Sequence, residues 1–176
     1  MVKKRGTISA NYEYEFTIIG IACHIPEYRV VHFLNKISNF NFIRLNDLIL
    51  NKGEVKEVGF PFYFFKDIEN CATFHFIANR FNERVLIKEW KQIDFLLIAF
   101  GSNHKTKTEE IVREIRIIPN VIAVSEMPIT KKLAIDNFMT DLELHINEIQ
   151  KREKERDKEI SNKLKTNRFG FVKFKN

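Results

Sequence analysis

Five stretches of this chain either alternate apolar with polar residues or run continuously apolar, and both patterns are typical of β-strands. These stretches are residues 12–23, 58–67, 72–81, 91–101 and 119–127. The stretch DIEN (residues 67–70) joins the second stretch to the third, which predicts a β-hairpin turn. In the third stretch, alternate side chains should point to opposite sides of the sheet. One side would carry Phe74, Phe76 and Ala78, and the other Thr73, His75 and Ile77.

Two further stretches space their apolar residues three and four positions apart, as an amphipathic helix does. The first covers residues 26–37, where Pro26 suits the first helical position and Glu27 the positive helix end. The second covers residues 107–118, where Thr108 can cap the helix. The predicted buried stripes are Val30, Val31, Phe33, Leu34 and Ile37 in the first helix and Ile111, Val112, Ile115 and Ile118 in the second. Residues 40–50 fit either a strand or a short turn.

A third helical pattern begins after residue 130 and changes character along its length. Its apolar positions are Ile135, Phe138, Met139, Leu142, Ile146 and Ile149. This stripe must cover either the sheet or another chain, so self-association through it is one alternative. Residues 150–159 have no apolar face, which predicts a solvated helix or disorder.

The order of these elements predicts an α+β fold. Strand, helix, several antiparallel strands, helix and strand make an elaborated ferredoxin-like sandwich of βαββαβ type, with a C-terminal helical extension and a basic aromatic tail. We therefore divide the chain into a basic N-terminal arm (residues 1–11), a ferredoxin-like domain (12–129), an amphipathic and then charged helix (130–160) and a basic, Phe-rich tail (161–176).

Composition narrows the class of protein. The chain has 176 residues, 44% of them hydrophobic and 17 of them Phe, enough for one Phe-rich core. It lacks a run of about 18 apolar residues and an apolar region behind its basic start, so we expect neither a membrane span nor a secretory signal. Two cysteines are too few for a disulfide framework, which favours the cytoplasm.

The net charge of +6 is unevenly distributed. Residues 3–5 carry three cations, the stretch after Glu159 carries five cations and no acid, and residues 6–159 therefore sum to −2. Basic ends favour contact with nucleic acid or with an acidic surface, although solvated ends would have the same composition.

The stretch NRFGFVKF, residues 167–174, resembles part of the RNA-recognition signature K/R-G-F/Y-G/A-F-V-x-F/Y. Only Lys175 and Asn176 follow it, whereas that signature needs a further helix and strand. We therefore interpret it as an extended docking segment that adds to the edge of a partner's sheet. Its predicted partner-binding residues are Arg168, Phe169, Phe171, Val172, Lys173 and Phe174.

The sequence leaves a second function open, an RNA- or ribosome-associated protein. Its phosphate contacts would come from Lys163, Lys165, Arg168, Lys3, Lys4 and Arg5, while the tail rings stack on bases. Exposed Phe74 and Phe76 on an open sheet would be another base-stacking surface.

Catalytic and metal chemistry have little support in the sequence. The glycines are isolated, so no phosphate-binding loop is expected, and no G-x-S-x-G or H-E-x-x-H occurs. A zinc set of Cys23, His24, Cys71 and His75 is conceivable by residue type, but adjacent residues of a strand point to opposite faces. We expect a non-enzymatic accessory subunit without metal or cofactor, bound to a protein partner, with a homodimer as one form.

The stretch IGIACHIPEYRVVHFLNKISNFNFIRLNDL (residues 19–48) resembles the start of proteins in the IPExxVD family. Ile25, Pro26, Glu27 and Val30 fit the motif that names this family, whereas Val31 stands at the position of its Asp. Residues 72–81, 91–100 and 118–138 add to the likeness, which covers roughly residues 12–138. The resemblance implies a small cytoplasmic protein and brings no activity, cofactor or catalytic residue. Residues after 138 would then be an extension of the family's plan.

Overall fold

An antiparallel sheet with helices on both faces forms the centre of the computed structural model, which describes residues 16–37, 40–49, 59–101, 104–129 and 135–170. The strands of the described residues are β1 (Phe16–Cys23), β2 (Ile43–Arg44), β3 (Leu48–Ile49), β4 (Gly59–Phe60), β5 (Phe62–Asp67), β6 (Ala72–Ala78), β7 (Arg80–Phe81), β8 (Arg84–Val85), β9 (Phe95–Gly101) and β10 (Val121–Glu126). The helices are α1 (Glu27–Ile37), α2 (His104–Arg116) and α3 (Ile135–Gly170), with a 3-10 turn at Lys88–Trp90. The predicted α+β class is confirmed.

The main sheet has six strands in the order β10-β1-β9-β6-β5-β2, and every neighbouring pair is antiparallel. The hairpin predicted around residues 67–70 is present, because β5 and β6 pair from Asp67–Ala72 to Phe62–Ile77. The Asp67 carboxylate holds its turn by accepting hydrogen bonds from the backbone N–H and side-chain amide of Asn70, at 3.1 and 2.7 Å. The ambiguous residues 40–50 form two strands of two residues each, β2 and β3.

One face of the sheet, here called the α1/α2 face, is covered by the first two helices. Alternation along β6 places Phe74, Phe76 and Ala78 on this face, as expected. The core beneath the helices also contains Ile19, Ile21, Leu97, Val30, Leu34, Ile111 and Ile115. Helix α2 begins at His104, so Thr108 lies in its second turn, is buried, and is not the N-cap that the sequence predicted.

The other face, here called the α3 face, is covered by the first half of α3. Its sheet side chains include Ile18, Phe62, Ile77, Leu96 and Ile98. Residues 135–149 of the helix lay the predicted apolar stripe on them, so both faces of the sheet are buried. Trp90 and Ile93, which lie in the connection between β8 and β9, also pack into the core on this face.

Helix α3 continues for 36 residues and ends at Gly170. The stretch between residues 135 and 169 contains no glycine or proline, so nothing in it stops propagation of the helix. Of the two alternatives for residues 150–159, the structure shows the helix. Helix α3 runs through the predicted tail boundary at residue 161. Of the docking segment predicted as extended, residues 167–170 are helical and residues 171–174 lie outside the described residues.

Candidate interaction surface on the C-terminal helix

The first half of α3 is built into the core. Phe138, Met139 and Leu142 are buried against the sheet, and Ile135 and Ile149 bury the two ends of the same stripe. His145 adds a polar contact, because its Nε2 lies 3.1 Å from the carbonyl oxygen of Asn46 and its ring meets Phe62 edge-on at 5.4 Å. The alternative of self-association through this stripe is wrong, because the chain's own sheet already covers it.

The second half of α3, residues 150–170, is here called the projecting segment. Every described side chain from residue 150 to 161 is exposed, including Ile160 at 54%. At 1.5 Å per residue, the 20 residues between Gln150 and Gly170 span about 30 Å. Gly170 therefore lies about 30 Å further along the helix axis than Gln150. No helix of the described residues is both long and apolar enough to cross a membrane.

The sequence-predicted contact residues fall into two groups. Lys163, Lys165, Arg168 and Phe169 lie on the helical backbone of the projecting segment. Phe171, Val172, Lys173 and Phe174 lie outside the described residues, as do Lys3, Lys4 and Arg5. The structure thus brings the first group onto one helix.

A groove opens where the projecting segment leaves the sheet, and no pattern in the sequence indicates it. This edge groove has a volume of about 230 Å³ and is lined by Ile43, Leu45, Phe64, Lys66, Ile146, Ile149 and Gln150. Five of these seven residues are apolar, and Lys66 and Gln150 are exposed at the surface. Its strand wall, β2, is the end strand of the sheet and pairs only with β5 among the described strands. Apolar lining beside an edge strand suits an extended segment with aromatic side chains.

The opposite edge of the sheet is partly used by the protein itself. The N–H of Met127 donates to the carbonyl of Ile18, so these two residues form a hydrogen-bonded pair of the antiparallel ladder. Such pairs alternate with non-hydrogen-bonded pairs. Val124, opposite Ile21, is in a non-hydrogen-bonded pair, and its carbonyl therefore points away from β1. Arg116 donates to that carbonyl at 3.2 Å. A charged side chain on an edge strand protects it from pairing with another chain, which makes β10 a poorer docking edge than β2.

A polar cleft of about 480 Å³ lies at the end of β1, between His24 and the β7–β8 hairpin. Asp94 lines it and accepts hydrogen bonds from the Cys23 backbone N–H at 2.9 Å and from Arg80 at 3.4 Å. Arg84 and Glu83 add one charge of each sign. Burial raises the pKa of the neighbouring Cys23 thiol, which keeps it protonated and a poor nucleophile. The cleft can hold a small polar molecule, but its charges are nearly balanced and select no class of ligand.

The remaining candidate sites do not assemble. Phe74 and Phe76 are fully buried beneath α1 and α2, so the alternative in which they stack on bases is wrong. Cys23 is buried on the α1/α2 face, His75 is buried on the α3 face, and Cys71 is exposed in the β5–β6 turn. The conceivable zinc set is therefore spread over both sides of the sheet. The described residues contain no group of three or more His, Cys, Asp or Glu placed to hold a metal ion.

No family model and no curated protein matches the sequence of this chain. The resemblance to the IPExxVD family therefore stays a prediction from the residues alone.

Proposed function

We propose that this protein is a non-enzymatic interaction module of a larger assembly. Its α+β domain is the body, and α3 is a rigid arm that presents a basic, Phe-rich segment to a protein partner. The contact residues are Arg168 and Phe169 at the end of the arm and Phe171, Val172, Lys173 and Phe174 beyond it. Aromatic side chains supply most of the binding energy in many interfaces, so the phenylalanines are the anchors and the cations set orientation.

The continuity of α3 from the core to Gly170 is the observation that carries this proposal. Isolated helices are marginal in water, and most helical stability in proteins comes from tertiary packing. Residues 135–149 receive that packing from the sheet and so nucleate the projecting segment. The charged residues of the projecting segment can therefore be helical without packing on a hydrophobic core. An arm anchored in this way holds its end at a defined distance from the domain.

We also propose that the domain is ferredoxin-like. The strand order β10-β1-β9-β6, antiparallel throughout, supports this assignment, with α1 and α2 together on one face. Strands β5 and β2 would then be additions at one edge, and α3 an addition on the second face.

Comparison of the full chain with a version ending at Ser161 tests the proposal. Both would be purified with an affinity tag from the native host, with and without nuclease, and co-purifying proteins identified by mass spectrometry. The shorter version keeps residues 135–149, so equal unfolding free energies serve as the folding control. A protein partner that survives nuclease and disappears with the shorter version supports the proposal. Equal partners for both versions would contradict it.

An RNA partner is the second candidate, favoured by the five cations and the absence of acid after Glu159. Lys163, Lys165 and Arg168 all lie within the last turns of α3, where they can follow a phosphate backbone. This candidate predicts nuclease-sensitive binding that falls steeply with added salt. Because both sheet faces are buried, RNA contacts in this candidate come from the helix end and the N-terminal arm and not from the sheet.

A further inference from the structure

We propose that the partner of the C-terminal segment is a second copy of this chain, a refinement that rests on the proposed function. In this dimer, Phe171 and Phe174 of each copy dock at the edge groove of the other, one ring in the groove and one over Ile43. The two projecting segments pack side by side and antiparallel between the two domains.

The C-terminal segment, residues 171–174, is too short to reach the groove of its own chain. Gly170 lies about 30 Å along the helix axis from Gln150, which lines the groove. Phe174 is four residues beyond Gly170, and four residues span at most about 14 Å. While α3 is intact, the phenylalanines must therefore dock on another molecule.

The edge groove is large enough and apolar enough to hold a phenyl ring. Apolar cavities of about 150 Å³ bind benzene, and the edge groove offers about 230 Å³ with five apolar side chains. Ile43 is 48% exposed there, so it has apolar surface left to cover. Phe64 already stacks on His75 at 5.5 Å, so one ring of the groove wall is held in place. One phenylalanine therefore fills the groove, and its neighbour can cover the exposed part of Ile43.

Two projecting segments can pack antiparallel through Ile160. Ile160 is eleven residues from Ile149, three turns of helix, and so lies on nearly the same side of α3. Up to Ile149 this side rests on the sheet, and beyond the sheet edge Ile160 is exposed. Residue 160 is also the midpoint of 150–170. An antiparallel pair that brings the two Ile160 side chains together therefore places Gly170 of each copy beside Gln150 of the other.

The phenylalanines of one copy can reach the edge groove of the other copy across the helix pair. Packed helices lie about 8–10 Å apart, and Phe174 can be up to about 14 Å from Gly170. Gln150 and Ile149 belong to the groove lining, so Gly170 of the partner copy lies at its mouth in this arrangement. No bending of α3 is needed to seat the rings.

The charges predict an unusual salt dependence. The projecting segment carries eight Lys or Arg and four Asp or Glu, a net charge of +4. Two such segments repel each other at low ionic strength, and salt screens that repulsion. Added salt should therefore strengthen the dimer, whereas binding to RNA would weaken.

Sedimentation equilibrium of the full chain tests the inference with three variants. Phe171→Ser/Phe174→Ser removes the anchors, and Ile43→Lys places a cation in the groove against a basic segment. Ile122→Lys is the matched control, since Ile122 is 61% exposed on the opposite edge strand β10. The dimer dissociation constant should rise about tenfold or more in the first two variants and stay unchanged in the control. A monomeric wild type, or a dimer that keeps its affinity in both variants, would overturn the inference.

Two further measurements make the result independent of misfolding. Mixing the tail variant with the groove variant should restore one intact contact and give a heterodimer, which two misfolded chains would not. In a Cys71→Ser background, Ile160→Cys should form a disulfide between copies, and Glu155→Cys, about 140° around the helix, should not. Failure of both would also overturn the dimer. A monomer that still captures another protein through its phenylalanines would overturn this inference and would still support the proposed function.

Discussion

His75 is the most unusual residue of the α3 face, because it is a buried polar group in an apolar setting. Its ring contacts Phe62, Phe64 and Phe100 at centroid distances of 5.6, 5.5 and 5.0 Å. Neither ring nitrogen has a hydrogen-bond partner among the described residues. Burial therefore lowers the pKa of His75 from 6.5 to about 4, and the residue is neutral in the folded protein at pH 7.

This pKa makes stability depend on pH in a predictable direction. The unfolded chain takes up a proton near pH 6.5 and the folded chain only near pH 4, so stability is full above 6.5 and falls as pH decreases. Between pH 7.5 and pH 5 the loss from His75 should be about 2 kcal/mol. His75→Phe should abolish that part of the pH dependence, as measured by urea unfolding at both pH values. His32→Phe, which removes an exposed histidine, should retain it; an unchanged slope in His75→Phe would show that His75 is not the cause.

Asn79 organises the connection between β6 and β9. It is fully buried, donates to the carbonyls of Trp90 and Ile93 at 2.9 and 2.8 Å, and accepts from the N–H of Ile87 at 2.9 Å. Asn79→Ala leaves the Ile87 N–H and the Ile93 carbonyl without this partner, while the Trp90 carbonyl keeps the Ile93 N–H at 2.9 Å. The substitution should cost about 3 kcal/mol. Chemical denaturation measures this cost. Exposed Asn41→Ala is the control, expected within about 0.5 kcal/mol of wild type; equal effects would contradict this role.

The sequence predicted the alternation of β6 but not the roles of these two residues. Period-two alternation is local, so the opposite faces of Phe74 and His75 could be read directly from the residues. The hydrogen bonds of Asn79 and the three rings around His75 come from parts of the chain that are distant in sequence. No local pattern contains that information.

At the scale of elements, α3 is both a core helix and an arm. Its stripe closes the α3 face, where Leu142 is fully buried. Two positions further on, Leu144 is 57% exposed on another side of the helix. The two leucines therefore offer a matched test of whether this half of the helix is part of the core.

Leu142→Ala should destabilise the domain by about 3 kcal/mol, because it removes buried apolar surface and leaves a cavity. Leu144→Ala should change the unfolding free energy by less than about 0.5 kcal/mol. Urea denaturation followed by circular dichroism measures both. Similar small effects for the two leucines would mean that α3 is not packed on the sheet.

The projecting segment should be separable from domain stability. Arg156→Pro interrupts the exposed part of α3, because proline lacks the N–H and clashes with the preceding turn. We expect less helical signal, an unchanged domain unfolding free energy and reduced partner capture. Arg156→Ala should preserve all three properties. If the proline variant captured partners as well as wild type, a rigid arm would not be required.

The elements were predictable where periodicity is strong and less so where two signals compete. Five strands and the buried stripes of all three helices follow from residue spacing. Residues 40–50 stayed ambiguous because each of their strands has only two residues. The sequence predicts an extended segment over residues 167–174 because Phe and basic residues alternate there, yet residues 167–170 are helical. Helix propagation from a packed first half, which the local pattern does not report, decides their structure instead.

At the scale of the whole molecule, the two covered sheet faces direct binding to the periphery. Bases cannot stack on the sheet, and the described residues assemble no metal site. The surfaces suited to a macromolecular partner are the edge groove at β2 and the projecting segment, whereas the polar cleft at the end of β1 has room for a small molecule. The sequence could nominate the tail, because aromatic and basic residues are concentrated there. It could not nominate the groove, whose walls come from β2, β5 and α3.

Partner capture by two paired variants of the full chain, after nuclease treatment, tests the central claim most directly. Phe171→Ser/Phe174→Ser removes the proposed anchors, and Lys173→Ser/Lys175→Ser removes neighbouring cations from the same segment. Quantitative mass spectrometry would compare what each tagged variant retains, including an untagged copy of the chain itself. We expect the phenylalanine variant to lose its protein partner and the lysine variant to keep most of it. Retention by the phenylalanine variant, or loss confined to the lysine variant, would contradict docking through the aromatic side chains.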